Sequence, residues 1–587
     1  MNIKCGTDEK RTSRKESNEM SDTVKKKISI GVEDFKEIIN KNGYFVDKTL
    51  MIQQLIENNA KVILFTRPRR FGKTLNQFMI RRFFEDEITE KGEKIDNGYL
   101  FDGLAITKCG EEIMKHQQQY PVIFLTLKSA KQPNFEMAYA CLVNEICKEF
   151  ERHSYVLQGD MSQRNREIFE RISLGKSSND EYATAFAFLS ECLFKYHGKK
   201  ALILIDEYDV PLENAYFRGF YGEMIDFIRS LFESALKTNP YLEKSVITGC
   251  LRIGKESIFT GLNNLETDSV LHTRYGNAFG FTQGEVEELL AYYGLRKQLE
   301  EVKKWYDGYL FNNFEIYNPW SLLKYVNDRK DHVTEFALPY WSNTSSNSII
   351  REMVGEADEK AKEDLETLIN GGTIEKPVHE DITYGDIHQS QDNLWNFLFF
   401  TGYLKKISER KDESGETLYL SMAIPNTEIK MIYNNSISYW FDQRMKEIDR
   451  SPLKLALETG DCRAAEDFIN RQLADTISYY EYAENFYHGF MAGLLVNIGG
   501  YRVKSNRESG NGRADIVMTE LKFRGRAVIL ELKISDTIQG MEKKCEEALA
   551  QIEAQKYAVP IEEDGYQQIL KYAICFFKKG CIVRKAE

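Results

Sequence analysis

Residues 61–74 read KVILFTRPRRFGKT, an apolar run followed by a basic loop that closes on glycine, lysine and threonine. A short strand that leads into such a loop and then into a helix is the context of a phosphate-binding P-loop. The loop amides and the positive end of the helix dipole can hold phosphate oxygens. Lys73 is then expected to reach the β- and γ-phosphates, and the Thr74 hydroxyl a magnesium ion. Arg67 stands where the usual pattern has its first glycine.

A second polar feature follows the strand 202–205, which ends in the paired acids Asp206 and Glu207. Magnesium and an attacking water both need carboxylates at such a place. We therefore assign Asp206 to the metal, through a bound water, and Glu207 to the general base; the alternative is a strand end with a solvated acidic turn. Thr248 ends the next strand and is expected to sense the γ-phosphate. Arg252 follows it, either as a charge stabiliser or in a surface ion pair.

The surroundings of these motifs predict an α/β fold. From residue 28 to 283, short apolar strands alternate with stretches of helical periodicity, which is the pattern of a parallel sheet. Residues 284–460 are expected to form a mostly helical middle region, and residues 461–587 a last α/β module. Residues 1–27 are polar and mixed in charge, which indicates a disordered tail. The clearest strands of the first domain are 61–66, 121–127, 201–205 and 245–250, and its clearest helices are 74–87 and 223–237.

The last module carries a second constellation of charged residues. A strand that begins near Asp515 and a strand 527–533 are joined by the turn 522–526, so a hairpin can bring them side by side. Glu531 and Lys533 are two residues apart and therefore point to the same face. Two carboxylates suit Mg²⁺ or Mn²⁺, which acidifies a bound water and offsets charge on a scissile phosphate, while the ammonium group orients that water. The alternative is an exposed hairpin with a surface ion pair, but charges in so apolar a strand are costly without a purpose.

Flanking helices offer further candidates for this site. Glu484 and His488 share one face of a helix predicted over 479–495. Glu484 is the best additional acidic ligand, whereas a histidine at such a position more often packs the helix than binds a metal. Gln551, on a helix predicted over 546–557, could face the same site.

Bulk composition bounds the class of protein. The chain has 587 residues, too many for one hydrophobic core. The sequence shows no apolar run near the ~18 residues of a membrane helix, and its ten cysteines show no CxxC spacing. We therefore expect a cytoplasmic protein with reduced thiols and no membrane contact. The net charge of −12 argues against a protein that coats nucleic acid, but it does not exclude a nuclease.

The motifs together resemble a known family, the predicted AAA-ATPase-like family of bacteria and some archaea. In that family an arginine in place of the first glycine is usual. The resemblance runs from about residue 28 to the C-terminus and implies an ATPase core with a C-terminal PD-(D/E)XK nuclease module. The stretches that carry it are 43–49 (GYFVDKT), 67–74 (RPRRFGKT), 257–264 (SIFTGLNN), 305–309 (WYDGY) and 317–321 (YNPWS), with 487–490 and 505–510 in the nuclease module. The aromatic motifs in the middle region are expected to serve packing rather than ligand binding.

The same resemblance assigns site residues. ATP with Mg²⁺ is implied at the phosphate loop, with Thr74 and Asp206 on the metal. In the nuclease module, Glu484, Asp515 and Glu531 are implied as metal ligands, and Glu508 and Arg513 as supporting positions. The cofactor-binding set is Arg67, Pro68, Arg69, Arg70, Phe71, Gly72, Lys73, Thr74, Asp206 and Thr248, and the catalytic set is Glu207, Glu484, Asp515, Glu531, Lys533 and Gln551.

Functions of different classes fit these features. The first is an enzyme in which ATP binding or hydrolysis controls a metal-dependent nuclease that acts on nucleic acid, DNA rather than RNA. The second is a nucleotide-dependent switch or scaffold whose C-terminal domain binds nucleic acid or a partner without cleaving it. The intact carboxylates and lysine favour the first, and the intact loop disfavours a nuclease with a vestigial ATP site. A homo-oligomer is also considered, because AAA-type enzymes often borrow an arginine from a neighbouring subunit, here Arg252 or Arg274.

Overall fold

The computed structural model describes most of the chain: residues 25–252, 258–259, 264–332, 336–341, 350, 358–380, 390–474, 484–496, 498–505, 514–522 and 524–586. The predicted tail therefore lies outside the described residues, except for 25–27. Glu508 and Arg513 also lie outside them. No helix within these ranges is both long and apolar enough to cross a membrane.

The N-terminal domain is built on a parallel five-stranded sheet. Its strands are β1 (Val62–Thr66), β2 (Val122–Thr126), β3 (Ala201–Asp206), β4 (Leu242–Gly249) and β5 (Leu265–Asp268). They lie in the order β2-β3-β4-β1-β5, and each neighbouring pair is parallel. Strands β1 and β3 are buried along their whole length, as expected of apolar runs with helices on both faces. The predicted α/β fold with a parallel sheet is confirmed.

Helices cover both faces of this sheet. The helix that follows β1 begins directly after Gly72, which adopts a left-handed φ of 83° that glycine accepts without strain. The helices of this domain are Phe35–Asn40, Leu50–Glu57, Lys73–Phe84, Glu111–Met114, Phe135–Arg152, Gln163–Ser173, Asn179–Ala183, Ala185–His197, Val210–Arg218 and Tyr221–Phe232, the last continued by a π-helical turn, Glu233–Lys237.

The middle region is mostly helical, as predicted, and it also contains two small antiparallel sheets. The first has the order β6-β8-β7, with β6 at Phe281–Thr282, β7 at Tyr309–Phe311 and β8 at Phe314–Tyr317. The second has the order β10-β11-β9, with β9 at Ile374–Val378, β10 at Lys405–Lys411 and β11 at Leu418–Ala423. The helices are Gln283–Tyr293, Leu299–Tyr306, Pro319–Lys330, Glu359–Ile369, Gln391–Phe400, Thr427–Glu447 and Ser451–Thr459.

The C-terminal domain has one mixed sheet of five strands in sequence order. They are β12 (Tyr501–Ser505), β13 (Ile516–Glu520), β14 (Arg526–Ile534), β15 (Gln568–Phe577) and β16 (Gly580–Lys585). Strands β14 and β15 are parallel, and the other pairs are antiparallel. The helices are Cys462–Ala474, Glu484–Leu495, Met541–Ala554 and Val559–Glu563.

Side-chain alternation along β14 decides which helices face the charged residues. Val528, Leu530 and Leu532 pack in a core with residues of the helices Cys462–Ala474 and Glu484–Leu495. Ala527 and Ile529 face the other side, with Ile552 of the helix Met541–Ala554. Glu531 and Lys533 continue this second face.

Candidate functional site

The phosphate loop and the end of β3 meet through hydrogen bonds. The Thr74 hydroxyl donates to Oδ2 of Asp206 over 2.7 Å, and the Thr248 hydroxyl donates to Oδ1 over 2.6 Å. The Lys73 ammonium donates to the carbonyl oxygens of Arg67 and Pro68, at 2.9 and 3.0 Å. The residues predicted to hold Mg²⁺ and to sense the γ-phosphate therefore lie together at the carboxyl ends of neighbouring parallel strands, where α/β folds bind ligands.

A cavity of about 410 Å³ opens beside this loop. Its volume lies within the range of small-molecule sites. Residues 29–33 and 44–46 line it from the N-terminal side, and Trp320 and Leu323 line it from the middle region. Its basic lining residues are Lys48, Arg69, Arg70, Lys73, Lys128 and Lys131. An apolar wall opposite a basic loop suits a ligand that joins an aromatic base to phosphates.

Arg67 does not present its side chain to the cavity. Its guanidinium is fully buried, forms an ion pair with Asp268 at the end of β5, and donates to the Asp268 carbonyl oxygen over 2.7 Å. The rings of Phe279 and Phe311 lie 5.0 and 5.5 Å from the guanidinium carbon. The Arg67 side chain thus links the start of the loop to the edge strand of the sheet. A glycine at this position has no side chain and could not form this link.

Two neighbouring acidic residues, Asp206 and Glu207, stand at the end of β3. Asp206 is fully buried, and burial, reinforced by the neighbouring Glu207, raises its pKa to about 6. Glu207 lies half-buried on the cavity wall and adopts a left-handed φ of 53°, which is uncommon for a residue with a side chain. Mg²⁺ near Thr74 and Asp206 would favour the charged form of both acids.

Asp209 is a site residue that sequence reasoning missed. It is buried and lines the cavity, and its Oδ2 accepts from the backbone amides of Cys250 and Leu251 at 2.7 and 3.2 Å. Its Oδ1 has no hydrogen-bond partner among the described residues. The run Asp206-Glu207-Tyr208-Asp209 contained the signal, because a third acid follows the first pair within one turn.

The outer side of the phosphate loop packs against the middle region. Phe71 is buried, and its ring centroid lies 4.9 Å from that of Tyr309 and 5.2 Å from that of Phe311. Gly402 lies close to the ring of Pro68, since a Cβ built on it would come within 2.9 Å of the Pro68 Cβ. Aromatic residues of the middle region, which we expect to serve packing, therefore pack on the phosphate loop.

One buried carboxyl group organises this packing. Oε1 of Glu428 accepts from the backbone amide of Trp341 over 2.7 Å and from the hydroxyl of Ser321 over 3.0 Å. Burial raises its pKa to about 7. Glu428 therefore joins Ser321, of the motif 317–321, to Trp341, whose ring stacks on that of Tyr403 with 5.3 Å between centroids.

The two arginines considered for a neighbouring subunit have partners in their own chain. Arg252 lies 3.9 Å from Glu380 of the middle region. Arg274 forms a surface ion pair with Glu266 over 3.0 Å. Whether either residue serves another subunit stays a prediction.

The second candidate site lies at the start of β13, which Asp515 precedes, and on β14. Oδ2 of Asp515 accepts from the backbone amide of Leu532 over 2.9 Å, which brings this carboxylate alongside β14. On β14 itself, the Lys533 ammonium donates to Oε1 of Glu531 over 3.2 Å. The structure therefore brings together the two carboxylates and the lysine that the spacing predicted.

Glu531 has the properties of a metal ligand. Its side chain is 2% exposed, and its Oε2 has no hydrogen-bond partner among the described residues. Burial, with a further contribution from Asp515, raises its pKa to about 7. A buried carboxylate oxygen beside a second carboxylate is costly unless a cation balances the charge, so the donor set fits a hard divalent ion. Among the described residues no third His, Cys, Asp or Glu completes a metal-binding group with these two carboxylates, and the side chain of Glu484 lies outside those residues.

The other residues predicted for this site or its neighbourhood include Glu484, His488 and Gln551. Glu484 begins the helix Glu484–Leu495, but its side chain is outside what the structure describes. His488, on the same helix, has its Nε2 3.1 Å from the carbonyl oxygen of Asp515. Gln551 donates its side-chain amide to the hydroxyl of Tyr557 over 3.2 Å. His488 therefore contacts a predicted metal ligand, whereas the role of Gln551 stays a prediction.

Two family models match this chain at these two sites. Residues 29–259 match the predicted AAA-ATPase model, and residues 482–586 match the PD-(D/E)XK nuclease superfamily model. The first match contains the phosphate loop and the end of β3, and the second contains Asp515, Glu531 and Lys533. Proteins with such domains generally use a nucleotide and a divalent metal. The resemblance found in the sequence is confirmed.

A relative with the same extent is known. A protein of Azotobacter chroococcum mcd 1, described as an uncharacterized protein in the vnfD 5' region, is 25% identical over 537 residues. The match covers 87% of this chain and 90% of that protein. The similarity therefore spans the ATPase domain, the middle region and the nuclease-superfamily domain together.

Proposed function

We propose that this protein is an ATP-controlled, metal-dependent nuclease: ATP bound at the phosphate loop sets the activity of a phosphodiesterase site at the start of β13 and on β14. The observation that carries the proposal is a continuous line of contacts that joins the two sites. Both families supply the general chemistry. The control of one site by the other is the new element.

The line of contacts begins at the phosphate loop. Phe71 packs on Tyr309, the first residue of β7, which follows the helix Leu299–Tyr306. The carbonyl oxygen of Asp307 accepts from the side chain of Asn426 over 2.7 Å. Asn426 caps the helix Thr427–Glu447, which carries Glu428 in its first turn. A change in the loop can therefore reach the first turn of this helix.

The line continues to the nuclease-superfamily domain. The helix Thr427–Glu447 has 21 residues and therefore spans about 30 Å. Arg450, just beyond its end, donates to the carbonyl oxygen of Leu494 over 2.8 Å. Leu494 belongs to the helix that carries His488, and His488 contacts the carbonyl oxygen of Asp515. A shift of the long helix would thus act on a predicted metal ligand.

The residues of the second site support cleavage rather than binding alone. Asp515 and Glu531 would hold a divalent metal, which when bound supplies a Lewis acid for the scissile phosphate. Lys533, whose ammonium group lies 3.2 Å from Glu531, would orient the attacking water. Oε2 of Glu531 would be left buried and unpaired in a protein that only binds nucleic acid.

The second candidate is a nucleotide-dependent switch or scaffold. It keeps the contacts between the phosphate loop and the middle region, which do not depend on cleavage. It leaves the paired carboxylates of the last domain without a use, so we rank it below the nuclease.

The test is a cleavage assay with the full chain. Labelled plasmid, linear DNA and RNA are incubated with Mg²⁺ or Mn²⁺, with and without ATP, beside the Glu531→Ala variant. The proposal expects metal-dependent cleavage of DNA that the variant lacks. If no substrate is cut while ATP is still hydrolysed, the switch replaces the nuclease.

A further inference from the structure

Arg70 occupies an unusual place in the phosphate loop. It lies between β1 and the helix Lys73–Phe84, two residues before Gly72, and lines the cavity beside Lys73 and Thr74. Its φ of 72° is left-handed. That conformation costs an arginine free energy that a glycine would not lose, so it persists only where the surroundings hold it. Arg70 adopts a backbone conformation that a glycine would adopt without strain. An arginine kept in such a conformation suggests that its side chain has a function.

The face of Trp320 holds this side chain. The guanidinium carbon of Arg70 lies 4.4 Å from the centroid of the indole ring, and Lys324 lies 5.5 Å from the same ring. Trp320 belongs to the helix Pro319–Lys330, whose start is fixed by the Asn318 side chain as N-cap. The middle region thus positions a cation over the phosphate loop.

Other basic residues of the cavity wall are engaged by carboxylates. Lys48 pairs with Glu285 over 2.7 Å, Arg69 forms an ion pair with Glu213, and Lys128 forms an ion pair with Glu33. These pairs fix the cavity wall around Arg70.

The charge of Glu207, the candidate general base, also acts on Arg70. Burial lowers the pKa of Arg70, the charge of Glu207 opposes that shift, and Glu207 too adopts a left-handed φ, at 53°. Two strained residues of opposite charge therefore line the same cavity, one on the phosphate loop and one at the end of β3. Water activated at Glu207 would attack close to the arginine.

We propose that Arg70 is a catalytic arginine of ATP hydrolysis, supplied by the same chain that supplies Lys73, and that Trp320 is its positioning residue. The inference rests on the proposed ATPase function. A water oxygen bonds to the γ-phosphorus as the bond to the β,γ-bridging oxygen breaks; ADP keeps the electron pair, and the water proton passes to Glu207. Arg70 contacts the γ-phosphate oxygens, on which the negative charge is spread in the transition state.

The experiment measures phosphate release and ATP binding separately, on the full chain with Mg²⁺. Arg70→Ala is expected to lower kcat at least ~100-fold while the Kd for ATP changes far less, because the arginine acts on the transition state. Arg70→Lys should recover little, since lysine lacks the planar group that stacks on an indole. Trp320→Leu should lower kcat by ~10-fold with the arginine still present. Arg229→Ala, at a partly exposed position of the helix Tyr221–Phe232 that pairs with Asp226, is the matched control and should hydrolyse ATP like the parent.

Three results would overturn the proposal in different ways. A raised KM with an unchanged kcat in Arg70→Ala would make Arg70 a binding residue only. Hydrolysis restored by mixing Arg70→Ala with Lys73→Ala subunits would place the acting arginine in a neighbouring subunit, and an activity per molecule that rises with protein concentration would agree with that. A parent chain that neither binds nor hydrolyses ATP would reject the proposed function itself, a result distinct from the other two.

Discussion

The ring of Phe71, in the phosphate loop, packs edge-on against the ring of Tyr309 in the middle region, with 4.9 Å between centroids and 78° between planes. Both side chains are buried. The residue beside Gly72 is therefore held by a segment from outside the matched ATPase domain. Because Phe71 is packed in this way, a conformational change of the phosphate loop on ligand binding would also move the middle region.

This contact predicts that Tyr309 transmits the nucleotide state. Tyr309→Leu removes the ring and is expected to abolish the effect of ATP on cleavage, while cleavage itself remains. Tyr309→Phe keeps the ring that packs on Phe71, so it should behave like the parent. The measurement is the ratio of cleavage rates with and without ATP. Equal ratios in the parent and in Tyr309→Leu would contradict the prediction.

Arg67 provides a second prediction, because restoring the usual glycine should harm the protein. Arg67→Gly leaves the buried carboxylate of Asp268 without its cation, which costs on the order of 3–5 kcal/mol of unfolding free energy. Urea unfolding, followed by tryptophan fluorescence, measures the loss. Arg67→Gly combined with Asp268→Asn should recover part of it, because no unpaired charge remains. A glycine variant as stable as the parent would show that the ion pair contributes little.

Much of the first domain could be predicted from the sequence. Strand β1 was expected over 61–66 and lies at Val62–Thr66, and β3 was expected over 201–205 and lies at Ala201–Asp206. Both are continuous apolar runs bounded by polar turns, which leaves little choice of structure. The hairpin that brings Asp515 to Glu531 was predictable for a related reason, since alternation along a strand fixes which side chains share a face.

Other features depend on contacts between distant parts of the chain. Arg67 and Asp268 are 201 residues apart, and β5 (Leu265–Asp268) has four residues and no apolar pattern that would announce a strand. Strand β10, KKISERK, is mostly exposed, so its alternation carries no signal. The packing of Trp341 and Tyr403 near the phosphate loop arises only when three regions meet. Local sequence periodicity contains no information about contacts between residues that are far apart in the chain.

Glu428 gives a prediction about pH. Its pKa is raised to about 7 by burial, so the folded state favours the neutral form. Stability from this group is present below its ordinary pKa of about 4.5 and is lost as pH rises through about 7. Glu428→Gln keeps an oxygen acceptor for Trp341 and Ser321 but carries no charge. The variant should therefore be more stable than the parent at pH 8, by on the order of 3 kcal/mol, with the difference vanishing near pH 4.

Thermal unfolding at the two pH values tests this. Glu562→Gln, at an exposed position, is the control and should show no such dependence. If Glu428→Gln and the parent unfold alike at pH 8, Glu428 does not charge at a cost in the folded protein.

The second site predicts a separation of binding from cleavage. Glu531→Gln and Lys533→Ala should each lower the rate of phosphodiester cleavage at least ~100-fold, because one removes a metal ligand and the other the group that orients the water. DNA binding, measured by fluorescence anisotropy without metal, should change little. Glu562→Gln again serves as the matched carboxylate control. Loss of binding in parallel with loss of cleavage would mean that these residues act in affinity instead.

The measurement that tests the central claim most directly is the cleavage rate of the full chain as a function of ATP concentration, compared with that of Lys73→Ala. Lys73 lies far along the chain from Asp515 and Glu531, and its partners among the described residues, Arg67, Pro68 and Cys250, all belong to the first site. If ATP controls the nuclease, the parent's rate follows ATP with a midpoint near its Kd for ATP, whereas the variant cleaves at a constant rate. An identical ATP response in both proteins, or no response in either, would contradict the claim that one site controls the other.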